Sequence, residues 1–181
     1  MPKLTKPVVK YKSSFLGAGK EYRKEYRETG NQRLERYADL DLDKLKDENE
    51  FEKFTEKLNS QAKGVGLPEG YVPSSIFWLM EGEEFIGQVD IRHRLTHLLM
   101  KTGGHIGYDI RPSKRKQGYG KLILKLALEK AKELGIKNAL VTCDATNIGS
   151  KRVIEANGGK FESQVKGDAG NPDKLRYWIH T

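Results

Sequence analysis

Apolar and polar residues follow two patterns along the chain. The pattern typical of helices comes first, and the pattern typical of strands follows it. The first predicted helix runs from about residue 13 to about Glu28. Ser13 or Ser14 can cap the start of this helix, and Gly30 can end it in a left-handed conformation. The preceding stretch, "PVVKY", is predicted to be a short extended segment.

A second amphipathic helix is predicted over the stretch "NEFEKFTEKLNSQAKG". Asn49 is its expected N-cap, and Gly64 is its expected end. Its apolar stripe consists of Phe51, Phe54 and Leu58, a spacing that places all three side chains on one face. The stretch "GVGLPEGYVPSS" is rich in glycine, proline and serine, and we expect it to form a loop.

Beyond this loop the apolar pattern changes to short compact runs, which are typical of strands. The runs "SIFWLM" and "FIGQVDIRHRL", joined by "EGEE", predict an antiparallel hairpin. After a polar connection that contains glycine, "HIGYDI" predicts a third strand with Ile106, Tyr108 and Ile110 on one face. Alternation along a strand therefore places Asp109 on the opposite face.

A long amphipathic helix is predicted next, with lysines on one side and Gly135 at its end; its apolar positions are Leu122, Ile123, Leu126, Ala127, Ala131 and Leu134. The strand "IKNALVTCD" follows, and its distance from "HIGYDI" fits a crossover that leaves the two strands parallel. A short helix over about Ile148 to Glu155 then ends at "NGG". The strands "KFESQV" and "LRYWI" complete the chain as a predicted antiparallel hairpin around a loop at residues 166–174.

These elements predict an α/β fold with a mixed, mostly antiparallel sheet, one central parallel strand–helix–strand crossover and flanking helices. The length of 181 residues suits one domain over 1–181. No internal repeat or long linker interrupts the pattern.

The composition argues against a membrane protein, a secreted protein, a disulfide and a metal site. No run of about 18 apolar residues indicates a transmembrane helix, and the start carries no apolar segment of a secretory signal, so we expect a cytoplasmic location and no membrane partner. The single cysteine, Cys143, excludes an internal disulfide. The histidines His93 and His97 are four positions apart, but they lack the glutamate of an HExxH motif, so we expect no metal site.

Charge is unevenly distributed along the chain, which carries a formal net charge of +8. Residues 111 to 137 hold nine lysines and arginines against two acids, whereas residues 35 to 57 hold nine acids against five cations. The basic region suits a phosphorylated or polyanionic partner. The acidic stretch either favours a cationic acceptor or is simply a solvated helix face.

The stretch "RKQGYGK" places cations and two glycines between a predicted strand and the start of a predicted helix. A helix N-terminus offers unpaired N–H groups, and glycine lets a phosphate approach them closely. A solvated charged turn is the alternative for Arg115 and Lys116. The stretch is not a nucleotide P-loop, because Arg115 stands where that motif has its first glycine. It is not a dinucleotide-binding motif either, because Ile123 stands where that motif has its third glycine.

The longer stretch "HIGYDIRPSKRKQGYGKLILKLALEKAKELG" resembles the central motif of the GCN5-related N-acetyltransferase (GNAT) superfamily, whose loop reads Gln/Arg-x-x-Gly-x-Gly/Ala. Arg115, Gly118 and Gly120 match this loop. "TNIGSKRVIEANGGKFE" resembles the next motif of the family, and "YVPSSIFWL", "IRHRL" and "RYWI" are similar to a bacterial subgroup of predicted acetyltransferases. The resemblance covers about residues 76–179. It implies a GNAT-like sheet for this core and a helical part at 1–70 that shapes the acceptor site.

The resemblance implies acetyl-CoA as co-substrate. Main-chain N–H groups of the glycine loop would cradle the pyrophosphate, and Arg115 would lie beside it; the loop residues are Gln117, Gly118, Tyr119, Gly120 and Lys121. The backbone of Ile110 would pair with the pantetheine arm, and the two parallel strands would separate there to admit the thioester. Asn147 would bind the pantetheine, although a helix cap is its alternative role, and Ser150 and Arg152 would lie toward the nucleotide.

The implied reaction is direct attack of a primary amine on the thioester in a ternary complex, with a small molecule or a protein as acceptor. The family often supplies a tyrosine acid seven residues after the motif asparagine, but this chain has Ile154 there. Tyr108 and Tyr177 are the candidate replacements. Candidate bases are Asp90, His93, His105 and Asp109.

Three further alternatives remain open from the residues. Cys143 could carry an acetyl group, although a buried cysteine usually acts as a small hydrophobic residue. The replacement at Ile154 would also suit a CoA-binding sensor without catalysis. A basic nucleic-acid-binding protein is the third alternative, but the sequence lacks the interleaved aromatic residues of single-strand binders. A homodimer is compatible with the sequence.

Overall fold

The computed structural model describes residues 1–167 and 170–181. It contains seven strands and five α-helices within these ranges: β1 Lys3–Thr5, α1 Lys12–Thr29, α2 Glu35–Ala38, α3 Glu48–Ser60, β2 Ser74–Glu81, β3 Glu84–Arg92, β4 Ile106–Ile110, α4 Tyr119–Glu133, β5 Asn138–Asp144, α5 Ile148–Ala156, β6 Lys160–Val165 and β7 Lys174–His180. Short 3₁₀ turns occur between several of these elements, and a π turn spans Leu99–Gly103.

The strands form two antiparallel sheets. One has the order β1-β2-β3-β4, and the other has the order β5-β7-β6. In the first sheet Gly87 of β3 lies opposite Ile110 of β4, and in the second Asp144 of β5 lies opposite Lys174 of β7. The mixed α/β architecture and both predicted hairpins are confirmed.

The predicted parallel pair needs a correction, because β4 and β5 belong to different sheets. The two strands meet only near their beginnings, where the N–H of His105 donates to the carbonyl of Leu140 at 2.7 Å. The N–H of Leu140 in turn donates to Nδ1 of His105 at 2.9 Å. The crossover through α4 is present as predicted. However, the ring of His105 accepts the N–H of Leu140, which a parallel β4–β5 ladder would need for a main-chain hydrogen bond.

Helices cover both faces of the first sheet, and alternation along the strands assigns each side chain to one face. Leu79 and Ile86 pack in a core with Ile123 and Ala127 of α4. Their neighbours Trp78, Met80 and Phe85 pack in a second core with Phe15 and Tyr22 of α1 and Phe51 of α3. We call these the α4 face and the α1 face.

Several predicted boundaries are confirmed and some are shifted. Gly30 ends α1 in the left-handed conformation at φ +64°. Asp47, not Asn49, caps α3, since its side chain accepts from the N–H of Glu50; both residue types make good caps, and the chain turns two residues earlier. "PVVKY" is not extended throughout, because Val9–Tyr11 forms a 3₁₀ turn. The predicted loop at 166–174 includes residues 168 and 169, which lie outside the described ranges.

Candidate active site

A cavity of about 880 Å³ lies between β4 and β5, where the two sheets part. Its lining includes Tyr108 and Ile110, which face α4, and Asp109, which faces α1. On β5 the lining residue is Thr142, which neighbours the α4-face residue Cys143 and therefore points to the α1 face. The gap thus connects the two faces of the fold.

The start of α4 forms the α4-face wall of this cavity. Gly118 is the N-cap of α4, adopts φ +88°, and receives no side-chain capping bond. The carbonyl of Gly118 accepts the N–H groups of Lys121 and Leu122, whereas the first N–H groups of the helix have no intrahelical partner. A Cβ at Gly118 would meet no protein atom within 4 Å, so the glycine leaves open space in front of these donors.

Arg115 lines the cavity, but its guanidinium is already held by the protein. Its Nε donates to the carbonyl of Ile110 at 3.0 Å, and its Nη1 lies 2.8 Å from Oε1 of Glu25. Arg111 pairs similarly with Glu21 at 2.6 Å. Residues 111–118 are therefore tied to α1 by two ion pairs, and Arg115 is more than a solvated turn residue.

The first turn of α5 forms the adjoining wall. Asn147 caps α5 by accepting the N–H of Ser150 at 2.9 Å, which leaves its amide NH₂ as the donor of that side chain. Gly120 supports the same wall, because a Cβ there would lie 3.1 Å from Cγ2 of Val153 on α5. Glycine at this position therefore lets α4 and α5 pack closely.

A hydroxyl pair joins β4 to α5 inside the cavity. The hydroxyl of Tyr108 lies 3.0 Å from Oγ of Ser150, and both residues line the cavity. Burial raises the pKa of Tyr108 to about 12, since the phenolate is poorly solvated there. Tyr108 is therefore a neutral hydrogen donor across the physiological pH range.

Comparison with known proteins agrees with this geometry. The sequence profile of the acetyltransferase (GNAT) domain matches residues 24–160. This chain belongs to the GNAT acetyltransferase family. No curated protein matches the chain significantly in sequence.

Solved structures of acetyltransferases share the fold of this GNAT chain. RimL, a ribosomal L7/L12 α-N-protein acetyltransferase solved with coenzyme A, has a TM-score of 0.66 at 16% identity over 99% of this chain and 93% of its own. The microcin C7 self-immunity acetyltransferase MccE, solved with acetyl-CoA and AMP, has a TM-score of 0.65 at 15% identity over 99% and 92%. A GNAT-family acetyltransferase from Bacillus anthracis has a TM-score of 0.58 at 20% identity over 99% and 94%.

Most sequence-predicted binding residues of this GNAT chain line the one cavity, and two do not. The lining includes Ile110, Arg115, Gly118, Gly120, Lys121, Asn147, Ser150 and Arg152. The Gln117 side chain is exposed instead and donates to the carbonyl of Ser113 at 3.1 Å. The Tyr119 hydroxyl points away to Oε2 of Glu81 at 2.5 Å. For these two residues only the main chain remains as a predicted contact.

Asp109 is the centre of a network that holds three helical residues to β4. Its carboxylate accepts from the hydroxyls of Tyr22 at 2.5 Å and Tyr37 at 2.9 Å, and it pairs with Arg36. The two tyrosine rings stack with centroids 4.0 Å apart. Burial raises the pKa of both tyrosines, so their hydroxyls stay protonated and donate. These contacts favour a positioning role for Asp109; its role as general base stays a prediction.

The other candidate bases lie outside the cavity lining. His93 Nε2 hydrogen-bonds Ser75 Oγ at 2.8 Å near the end of the hairpin. His105 closes the junction of β4 and β5, and burial together with the Arg92 charge lowers its pKa. Asp90 lies 3.6 Å from Arg92 on the α1 face. The role of these three residues as bases stays a prediction.

Tyr177, Cys143 and Ile154 belong to the α4-face core. Burial and the carboxylate of Glu155 raise the pKa of Tyr177 to about 12, and its hydroxyl lies 3.4 Å from that carboxylate. Burial likewise raises the pKa of the Cys143 thiol, which disfavours the nucleophilic thiolate. Ile154 is fully buried and packs against Gly159. Tyr108 is thus the candidate acid whose hydroxyl reaches the cavity.

The sequence did not single out four cations of the cavity lining: Arg33, Arg36, Arg92 and Lys174. They come from three separate segments, and no local motif contains them. Lys116 adopts φ +61°, a strained conformation for a residue other than glycine. Lys116 belongs to the stretch "RKQGYGK", which the sequence analysis placed at the predicted phosphate site.

Two negative findings concern the described ranges. Across residues 1–167 and 170–181, no group of three or more His, Cys, Asp or Glu side chains could hold a metal ion. Nor does any helix in these ranges have the length and apolar character needed to cross a membrane.

Proposed function

We propose that this chain is an acetyl-CoA-dependent N-acetyltransferase that transfers an acetyl group to a primary amine by direct attack in a ternary complex. The cavity between β4 and β5 carries this proposal, because it opens to α4 on one face and to α1 on the other. A donor and an acceptor can therefore approach one point from opposite sides. GNAT membership supports the acetyl transfer itself.

The α4-face wall fits the pyrophosphate of acetyl-CoA. It presents the uncapped N-terminus of α4 and open space at Gly118. Lys116, Lys121 and Arg152 line the cavity there and can neutralise the phosphate charge. The solved complexes of MccE with acetyl-CoA and RimL with coenzyme A give further support for this ligand.

When bound, acetyl-CoA supplies a thioester-activated acetyl group and a thiol leaving group. The chain contributes position and a proton. The backbone of Ile110 lies at the rim of the gap, where an extended arm can pair with it, and the NH₂ of Asn147 can donate to the same arm. Tyr108 donates its proton to the sulfur as the carbon–sulfur bond breaks, and Ser150 holds the phenol in place.

The N-terminal part at 1–70 shapes the acceptor side in this proposal, and the whole chain acts as one domain. The segment of residues 31–36 leads from α1 into the first turn of α2. It lines the α1-face opening with Asn31, Arg33, Leu34 and Arg36. The Asp109 network fixes this segment to β4. Solvent in the cleft can accept the proton of the amine.

Two measurements test this function. Acetyl-CoA should raise the melting temperature in a saturable way, and free thiol should appear faster when an acceptable amine is added. Stabilisation without thiol release on any amine would favour a CoA sensor. Stabilisation by DNA or RNA alone, lost steeply with salt, would overturn the acetyl-CoA site.

A further inference from the structure

The acceptor-side opening of the cavity is bridged by residues 31–36. Arg36 reaches Asp109 on β4, and Arg33 lies 2.7 Å from Oδ2 of Asp144 at the end of β5. The segment therefore spans the gap between the two strands. A molecule that enters the gap past this segment meets both guanidinium groups.

Cations dominate the lining of this face. Four cations of the cavity lining belong to the α1 face: Arg33, Arg36, Arg92 and Lys174. Strand alternation places Arg92 and Lys174 on this face, and Arg33 and Arg36 reach it through their ion pairs with Asp144 and Asp109. Within the described residues, Asp109 is the only carboxylate of the lining.

The counterions of these cations lie behind them. The side chains of Asp109 and Asp144 are each 14% exposed, whereas those of Arg36 and Arg33 are 46% and 43% exposed. Burial opposes ionisation of Asp144, but hydrogen bonds from Lys174 and Arg33 outweigh it and hold the pKa of Asp144 below its usual range. The carboxylates thus orient the guanidinium groups, and each guanidinium keeps further N–H donors for a ligand.

The acidic stretch at 35–57 does not change this picture. None of its nine acids lies in the cavity lining. The suggestion that this stretch attracts a cationic acceptor therefore has no support in the cleft. A polyamine would instead meet the exposed faces of Arg33 and Arg36.

We propose that the acceptor amine carries an acidic group, a carboxylate or a phosphate, which Arg33 and Arg36 bind. Arginine presents a planar fork of donors that matches both groups. Because the two arginines flank the gap, the acid must lie within a few bonds of the amine. This inference rests on the proposed N-acetyltransferase function and defines the substrate class of the same site.

Matched amines test the proposal. Thiol release from acetyl-CoA is measured with alanine against alaninamide, with 2-aminoethyl phosphate against ethanolamine, and with spermidine as a polycation. We expect at least one acid to exceed its neutral partner in kcat/KM by about tenfold to hundredfold, the range for a hydrogen bond to a charged group. The favoured pair tells carboxylate from phosphate. Alaninamide has the less basic amine, so its larger free-amine fraction works against the expected result.

Arg33→Gln and Arg36→Gln provide the second arm. Each should raise KM for the acidic amine by a similar factor, reduce the preference for the acid over its neutral partner, and leave KM for acetyl-CoA unchanged. Lys132→Gln is the matched control, since Lys132 is exposed on α4 outside the cavity lining. Arg36→Gln loses the ion pair with Asp109, and this loss could prevent folding. The Arg33→Gln variant then still tests the proposal, because Lys174 continues to neutralise Asp144.

The outcomes separate this inference from the function on which it rests. A higher kcat/KM for alaninamide, ethanolamine or spermidine than for the acids overturns the inference and leaves the transferase intact. An acid preference that survives in both folded variants also overturns it. Failure of every amine, with acetyl-CoA bound, overturns the proposed function itself.

Discussion

Replacing Gly118 by aspartate tests the pyrophosphate site with a nearly ideal control in the same helix. Gly118 precedes α4 and Gly135 follows it, and they adopt φ +88° and +80°. A Cβ at either position meets no heavy atom within 4 Å. Both Gly→Asp changes therefore carry the same left-handed strain, about 1–2 kcal/mol, without a steric clash. Only Gly118 lines the cavity.

The difference between the two variants is then electrostatic. A carboxylate about 5 Å from a phosphate charge is repelled by about 1–3 kcal/mol for effective dielectric constants between about 80 and 20. Gly118→Asp should therefore weaken acetyl-CoA binding by about fivefold to more than a hundredfold, whereas Gly135→Asp should bind normally. Isothermal titration with acetyl-CoA, after a melting curve confirms that both variants fold, measures this. Equal affinities in the two variants would refute the placement of the pyrophosphate at the start of α4.

Three further predictions follow from single contacts. Tyr108→Phe removes the hydroxyl beside Ser150 and should lower kcat by about 100-fold at unchanged KM for acetyl-CoA; an unchanged kcat would exclude Tyr108 as the acid. Lys116→Gly should keep the melting temperature, whereas Lys116→Val should lower it, because φ is +61° there and β-branched residues avoid that region. Hydrogen bonds from Lys174 and Arg33 lower the pKa of Asp144 although burial opposes them. The Asp144 carboxylate therefore stabilises the folded state above about pH 4, and this stabilisation is lost as the pH falls through the lowered pKa. Denaturant unfolding from pH 7 to pH 3 should show the wild-type advantage over Asp144→Asn shrinking with acid, and a pH-independent difference would contradict this.

The cavity wall at the start of α4 was predictable from sequence because its parts are local. The glycines, the cations and the amphipathic helix from Tyr119 follow one another in a single stretch, and the helix forms where its periodicity predicts. The capping role of Asn147 was also visible, since a helix follows it directly. Local rules of capping and periodicity suffice for such features.

The α1-face opening of the cavity was not predictable because its residues meet only in the folded chain. Arg33 pairs with Asp144, which is 111 positions away, and Tyr22 reaches Asp109 across 87 positions. Neither pair has a signal in its own neighbourhood. Where β4 and β5 separate, the ring of His105 likewise accepts the amide of Leu140, a contact that strand propensity does not encode.

The central claim is that acetyl-CoA and the acceptor amine bind together at the gap between β4 and β5, and steady-state kinetics test it most directly. If donor and acceptor meet there from opposite faces, initial rates with both substrates varied should give intersecting double-reciprocal lines. The intact protein should then gain no acetyl mass when incubated with acetyl-CoA alone, because Cys143 is buried. Parallel lines together with an acetylated protein would contradict the ternary complex and direct attack.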